Sequence, residues 1–125
     1  MRDGKYTILC IDDDPDILES LRVVLEANDY AVEVAESAEA GLRAYREVEP
    51  DLVIVDLMME EIDAGTNFVK ELQALGNEVP IYMLSSTGDQ LSATVEYSQL
   101  GLAGVFQKPL DPEILLGLLE AKLQI

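Results

Sequence analysis

Five short apolar runs, YTILCI (6–11), AVEVA (31–35), DLVIV (51–55), VPIYML (79–84) and LAGVFQ (102–107), recur about every 25 residues and constrain the fold more than any other feature. Each has the length of a strand. The near-continuous apolarity of the first, third and fourth predicts burial on both faces. Between the runs, apolar residues are spaced for helices: Ile17, Leu21, Val24 and Leu25 share one face, as do Ala38, Leu42 and Tyr45, then Phe68, Leu72 and Leu75, and finally Leu115, Leu118, Leu119 and Leu123. A further helix is expected over roughly Gln90 to Leu100, carrying Leu91 and Val95. Asp14-Pro15 and Asp111-Pro112 each read as an N-cap followed by proline at the first helical position, and Gly76-Asn77 reads as a helix stop.

Strands and helices in strict alternation imply a parallel sheet covered by helices on both faces, because parallel crossovers are right-handed and need a helix to return. The expected class is α/β, doubly wound, with five strands in the flavodoxin-like order 2-1-3-4-5. A length of 125 residues suits one core, and no linker, low-complexity tract or repeat divides it, so residues 1–125 are expected to form a single domain.

Composition narrows the partners. The formal net charge is −17, from 25 acids against 8 bases, and that field repels phosphate backbones and anionic lipid. Direct binding to nucleic acid is not expected of this domain; a basic partner surface is. No segment approaches the roughly 18 uninterrupted apolar residues of a membrane span, and the start MRDGKYTILC lacks the apolar core of a signal peptide. With one cysteine, Cys10, inside an apolar run, the expected setting is cytoplasmic. The absence of histidine removes His-based acid/base catalysis and most transition-metal sites.

In doubly wound folds the functional crevice lies beyond the carboxyl ends of the strands. The first strand is followed by Asp12, Asp13 and Asp14, the third by Asp56, the fourth by Ser85, Ser86 and Thr87, and the fifth by Lys108-Pro109. Asp14 is accounted for as a helix cap and Asp16 as a first-turn partner of the helix dipole. In the order 2-1-3-4-5, strands one and three are neighbours, so Asp12, Asp13 and Asp56 meet, an arrangement that is costly without a cation. Hard carboxylate oxygens beside water suit Mg²⁺. An aspartate there can act as a nucleophile toward phosphorus, with metal and lysine neutralising the transferred group and a serine hydroxyl bonding its oxygens.

Over essentially its whole length the chain resembles the receiver domains of two-component response regulators, through ILCIDDDPDILESL, DLVIVDLMM, MLSS and VFQKPLDPEIL in the family's order and spacing. The resemblance implies that Asp56 accepts a phosphoryl group, that Asp12 and Asp13 hold Mg²⁺ together with Asp56 and the backbone carbonyl of Met58, and that Ser85 and Lys108 contact the phosphoryl group. Met58 and Thr87, flanking the site, would tune hydrolysis. It implies a phosphohistidine donor on a sensor histidine kinase or histidine phosphotransfer protein, and a downstream protein or further output domain as reader. The chain would be a signalling module catalysing only its own phosphotransfer and dephosphorylation.

The chain departs from the family pattern in three places. Glu60 stands where receivers commonly have proline, and Glu61 follows it. The loop EEIDAG is one residue longer before its glycine, Gly65. Val105 occupies the strand-five position where the family usually has an aromatic that rotates inward with the hydroxyl residue, while Phe106, its neighbour, must face the other side. The switch region is expected to involve Ser85 and Val105. One alternative is a binding module of the same fold that works without phosphorylation. A flavodoxin-type carrier is disfavoured because DDDPD repels a phosphate-bearing cofactor, and an aspartate-nucleophile phosphohydrolase because Met58 stands where its general acid is expected.

Overall fold

The computed structural model describes residues 4–56, 64–85, 103–107 and 111–123. In chain order these form β1 (Thr7–Ile11), α1 (Pro15–Glu26), β2 (Ala31–Ala35), α2 (Ala38–Val48), β3 (Leu52–Asp56), α3 (Ala64–Ala74), β4 (Ile81–Ser85), β5 (Gly104–Gln107) and a fourth described helix, α4 (Pro112–Leu123). The five strands make one parallel sheet in the order β2-β1-β3-β4-β5, as the alternation of apolar runs predicts. The helix expected over residues 90–100 lies outside the described residues.

Alternation along the strands sorts the core into two layers. Ile8, Cys10, Leu52, Ile54, Tyr82, Leu84 and Phe106 point to one face, where they meet Leu18, Leu21 and Leu25 of α1 and Leu115 and Leu119 of α4. Leu9, Ile11, Val53, Val55, Ile81 and Met83 point to the other, against Phe68, Val69 and Leu72 of α3. All five residues of β1 and of β3 are buried, the consequence of lying at the centre with helices on both sides. Edge strand β2 alternates more openly.

Helix ends follow local chemistry. The Asp14 carboxylate accepts the Asp16 N–H at 2.9 Å, and Asp111 accepts the Glu113 N–H at 2.9 Å, so both aspartate-proline pairs begin helices. α3 ends where Gly76 takes φ +83°, with Asn77 N–H donating to Leu72 O at 3.1 Å and Gly76 N–H to Gln73 O at 3.1 Å. The same turn exposes Leu75 to 50 %, so it leaves the apolar face that its spacing predicts. Leu118 is also 38 % exposed: α4 is apolar nearly all round, and periodicity alone cannot choose which of its leucines turn inward.

Candidate functional site

The β1–β3 register pairs Ile11 with Val55, so the next residue on each chain, Asp12 and Asp56, emerges side by side at the carboxyl edge of the sheet. Asp13 follows. One carboxylate oxygen from each of Asp12, Asp13 and Asp56 can be chosen so that all three lie within 4.8 Å of one another. Asp12 is fully buried and Asp56 is 3 % exposed, while Asp13 faces solvent. Two backbone bonds fix the loop: Asp12 N–H donates to Ala35 O at 3.1 Å, and Asp14 N–H donates to Asp12 Oδ1 at 2.9 Å. The N-cap that starts α1 therefore also holds the first acid in place.

Like charges at this separation repel by roughly 3 kcal/mol at an effective dielectric of about 20. A hard cation reverses that sign, and three convergent carboxylate oxygens, two of them on rigid strand ends and one open to water, are a donor set that can hold one. The residues present fit a divalent metal. Beneath them, Cys10 is wholly buried and its thiol is pushed up to about 12, first by burial and further by the charge of Asp12, against an opposing effect of Arg22. A thiol so held is protonated at neutral pH.

Of the residues singled out from the sequence, Asp12, Asp13 and Asp56 are brought together. The Ser85 backbone closes β4 one residue beyond Leu84, the partner of Asp56, and pairs with Gln107 on β5, the last residue before Lys108. Met58, Glu60, Glu61, Thr87 and Lys108 lie outside the described residues. Gly65 falls within the first turn of α3. Val105 pairs with Met83, is 39 % exposed, and points away from the layer that contains Phe106, as strand alternation requires.

One contact next to the site has only a faint sequence signal. Gly41 of α2 sits against the side chain of Ile11, the residue before Asp12, and beside Phe68 of α3. A glycine inside a helical pattern suggests close packing, but the sequence does not say against what.

The family model for the response regulator receiver domain matches residues 8–120. The chain is 35% identical over 108 residues to the transcriptional regulatory protein GlrR of Escherichia coli (strain K12), covering 86% of this chain and 24% of that protein. It is 34% identical over 117 residues to the response regulator MprA of Mycolicibacterium vanbaalenii, covering 94% of this chain and 50% of that protein. The chain thus spans a quarter to a half of the length of these curated relatives. Among solved structures, it is similar to the Vibrio cholerae chemotaxis protein CheY4, with TM-score 0.84 and 28% identity over 95% of this chain and 99% of that one. It is also similar to a response regulator receiver domain protein from Clostridium thermocellum, with TM-score 0.86 and 26% identity over 95% and 94% of the two chains. No helix among the described residues is long and apolar enough to cross a membrane.

Proposed function

The chain belongs to the response regulator receiver family, and on that premise we propose that it accepts a phosphoryl group on Asp56 from a phosphohistidine of a sensor histidine kinase or histidine phosphotransfer protein. The observation that carries this reading is the convergence of the Asp12, Asp13 and Asp56 carboxylates within 4.8 Å at the ends of β1 and β3.

In this reading Asp12, Asp13 and Asp56, with the Met58 carbonyl, hold Mg²⁺, which when bound neutralises charge on the transferred oxygens. A carboxylate oxygen of Asp56 attacks phosphorus in line with the histidine nitrogen. A P–O bond forms as the P–N bond breaks, and the imidazole leaves on the donor protein. Burial of Asp56 keeps bulk water from competing with the nucleophile. Lys108 supplies the second cation and Ser85 a hydroxyl for the phosphoryl oxygens. The added charge and acceptor oxygens draw these groups inward and shift the population of a surface that a partner reads, either a separate protein or an output domain. The charge of −17 favours partners that present basic surfaces and disfavours direct contact with nucleic acid or anionic membrane. One receiver unit over residues 1–125, acting in the cytoplasm, accords with this role.

The test is intact mass after incubation with Mg²⁺ and acetyl phosphate, for the wild type and Asp56→Asn. A single phosphoryl adduct that needs Mg²⁺ and disappears in the variant supports the reading. No adduct and no Mg²⁺ binding replaces it with a phosphorylation-independent binding module, the reading that the aliphatic Val105 at the usual aromatic switch position favours.

A further inference from the structure

We propose that Gly41 is a positioning residue that holds Asp12 and Asp13 in the register that favours Mg²⁺ over larger divalent ions. The inference rests on the reading of the three aspartates as a metal site and adds to it a residue that touches neither metal nor phosphate.

Glycine is a poor residue for a helix interior, yet Gly41 lies in the first half of α2, and it is buried. A Cβ there would lie 2.6 Å from Ile11 Cδ1, 3.0 Å from Ile11 Cγ1 and 3.3 Å from Phe68 Cε1. Ile11 is fully buried and Phe68 is 1 % exposed, both in the layer shared with α3, where close packing resists a shift of either side chain. Ile11 is joined by one peptide unit to Asp12, whose own N–H is tied to Ala35 O at 3.1 Å on the neighbouring strand. Phe68 belongs to α3, the next described helix after Asp56. The missing side chain at Gly41 therefore leaves room for the outer atoms of Ile11, the residue that precedes two of the three acids. A displacement of Ile11 is passed directly to Asp12 and Asp13.

Ion size makes the site sensitive to that displacement. Mg²⁺ demands near-octahedral oxygens at about 2.0–2.1 Å, whereas Ca²⁺ accepts irregular shells at about 2.3–2.6 Å. A shift of a few tenths of an ångström spoils the first and is absorbed by the second.

Calorimetric titration of MgCl₂ and CaCl₂ into the wild type, Gly41→Ala and Ile11→Val/Gly41→Ala tests this. In Gly41→Ala the Mg²⁺ Kd is expected to rise about tenfold, the low end of what disturbing a ligand's outer support costs. The Ca²⁺ Kd should change by less than about twofold. The double variant, which exchanges one buried methyl for another, should restore the wild-type preference. Equal losses for both ions, or an unchanged Mg²⁺ Kd, overturn the proposal and leave Gly41 a packing residue. Should Gly41→Ala not fold, Ile11→Val alone decides: slack at the same contact should weaken Mg²⁺ and spare Ca²⁺, and no change in either overturns the proposal. A wild type that binds neither ion removes the metal reading itself, a failure distinct from these.

Discussion

Tyr82 of β4 and Phe106 of β5 stack with ring centroids 5.1 Å apart and planes tilted by 30°, and the Tyr82 ring extends over Gly104, its register partner. A Cβ at Gly104 would lie 2.8 Å from Tyr82 Cε1 and 3.1 Å from Cδ1. Both rings are buried in the layer that receives α4, so the tyrosine cannot swing out without opening that layer. Gly104→Ala is expected to lower unfolding free energy by about 1–3 kcal/mol through overpacking, read from urea denaturation. In a Tyr82→Leu background the same substitution should cost less than half as much. Equal losses in both backgrounds would show that the ring is not what excludes a side chain at position 104.

The cluster of Asp12, Asp13 and Asp56 sets stability against metal. Asp12→Asn keeps the Oδ1 that accepts the Asp14 N–H and removes one of the repelling charges. In EDTA the variant should be more stable than the wild type by about 1–2 kcal/mol. At a Mg²⁺ concentration of about 100 Kd the wild type should gain roughly 2.7 kcal/mol, and the variant little. The order of the two urea midpoints thus inverts between EDTA and Mg²⁺. A wild type that stays the less stable protein in both conditions would contradict metal binding at this cluster.

Cys10 predicts the alkaline limb of stability. Its thiol is raised from 9.0 to about 12, chiefly by burial, so the folded state holds this proton more tightly than the unfolded state. The associated stability is complete below pH 9.0 and is lost as pH rises from there toward about 12. Tyr30, Tyr45 and Tyr82, each raised above 10.0 by burial first, add to the loss at higher pH. Between pH 8 and pH 10 the wild type should lose about 1 kcal/mol more than Cys10→Ala, although the variant starts lower because of the cavity. Parallel pH profiles for the two proteins would exclude the thiol as the source.

What could be read in advance divides along a physical line. The sheet was legible because β1 and β3 lie between two helical layers, so their sequences, TILCI and LVIVD, carry apolar residues on both faces nearly to the end. The aspartates were legible because a buried strand that ends in a carboxylate leaves that charge at the sheet edge, and strand order then decides which charges meet. Leu75 and Leu118 were misplaced for a different reason. A helix stop one residue early removes Leu75 from its face, and an all-round apolar helix gives Leu118 no polar side to mark orientation. The Gly41–Ile11 contact leaves only the trace of a glycine inside a helical pattern, because it joins two elements through shape, and shape complementarity has no period. Nor does the sequence foretell that Tyr45 Oη would donate to Asn77 Oδ1 at 2.6 Å, tying α2 to the turn after α3.

α1 and α3 close with the same pair of backbone bonds but with different residues at the left-handed position. In α3 that residue is Gly76; in α1 it is Asp29 at φ +70°, with Asp29 N–H donating to Glu26 O at 3.3 Å and Tyr30 N–H to Leu25 O at 3.1 Å. An L-residue with a Cβ is strained there, and a carboxylate at a helix C-terminus opposes the dipole. Asp29 is exposed. Asp29→Asn, which removes the charge alone, should stabilise by a few tenths of a kcal/mol. Asp29→Gly, which removes charge and strain, should gain about 0.5–1 kcal/mol, net of the extra entropy glycine gives the unfolded chain. Thermal unfolding should therefore rank glycine above asparagine above aspartate. A glycine variant that melts below the wild type would mean that the Asp29 side chain holds the turn by a local bond stronger than the strain it bears.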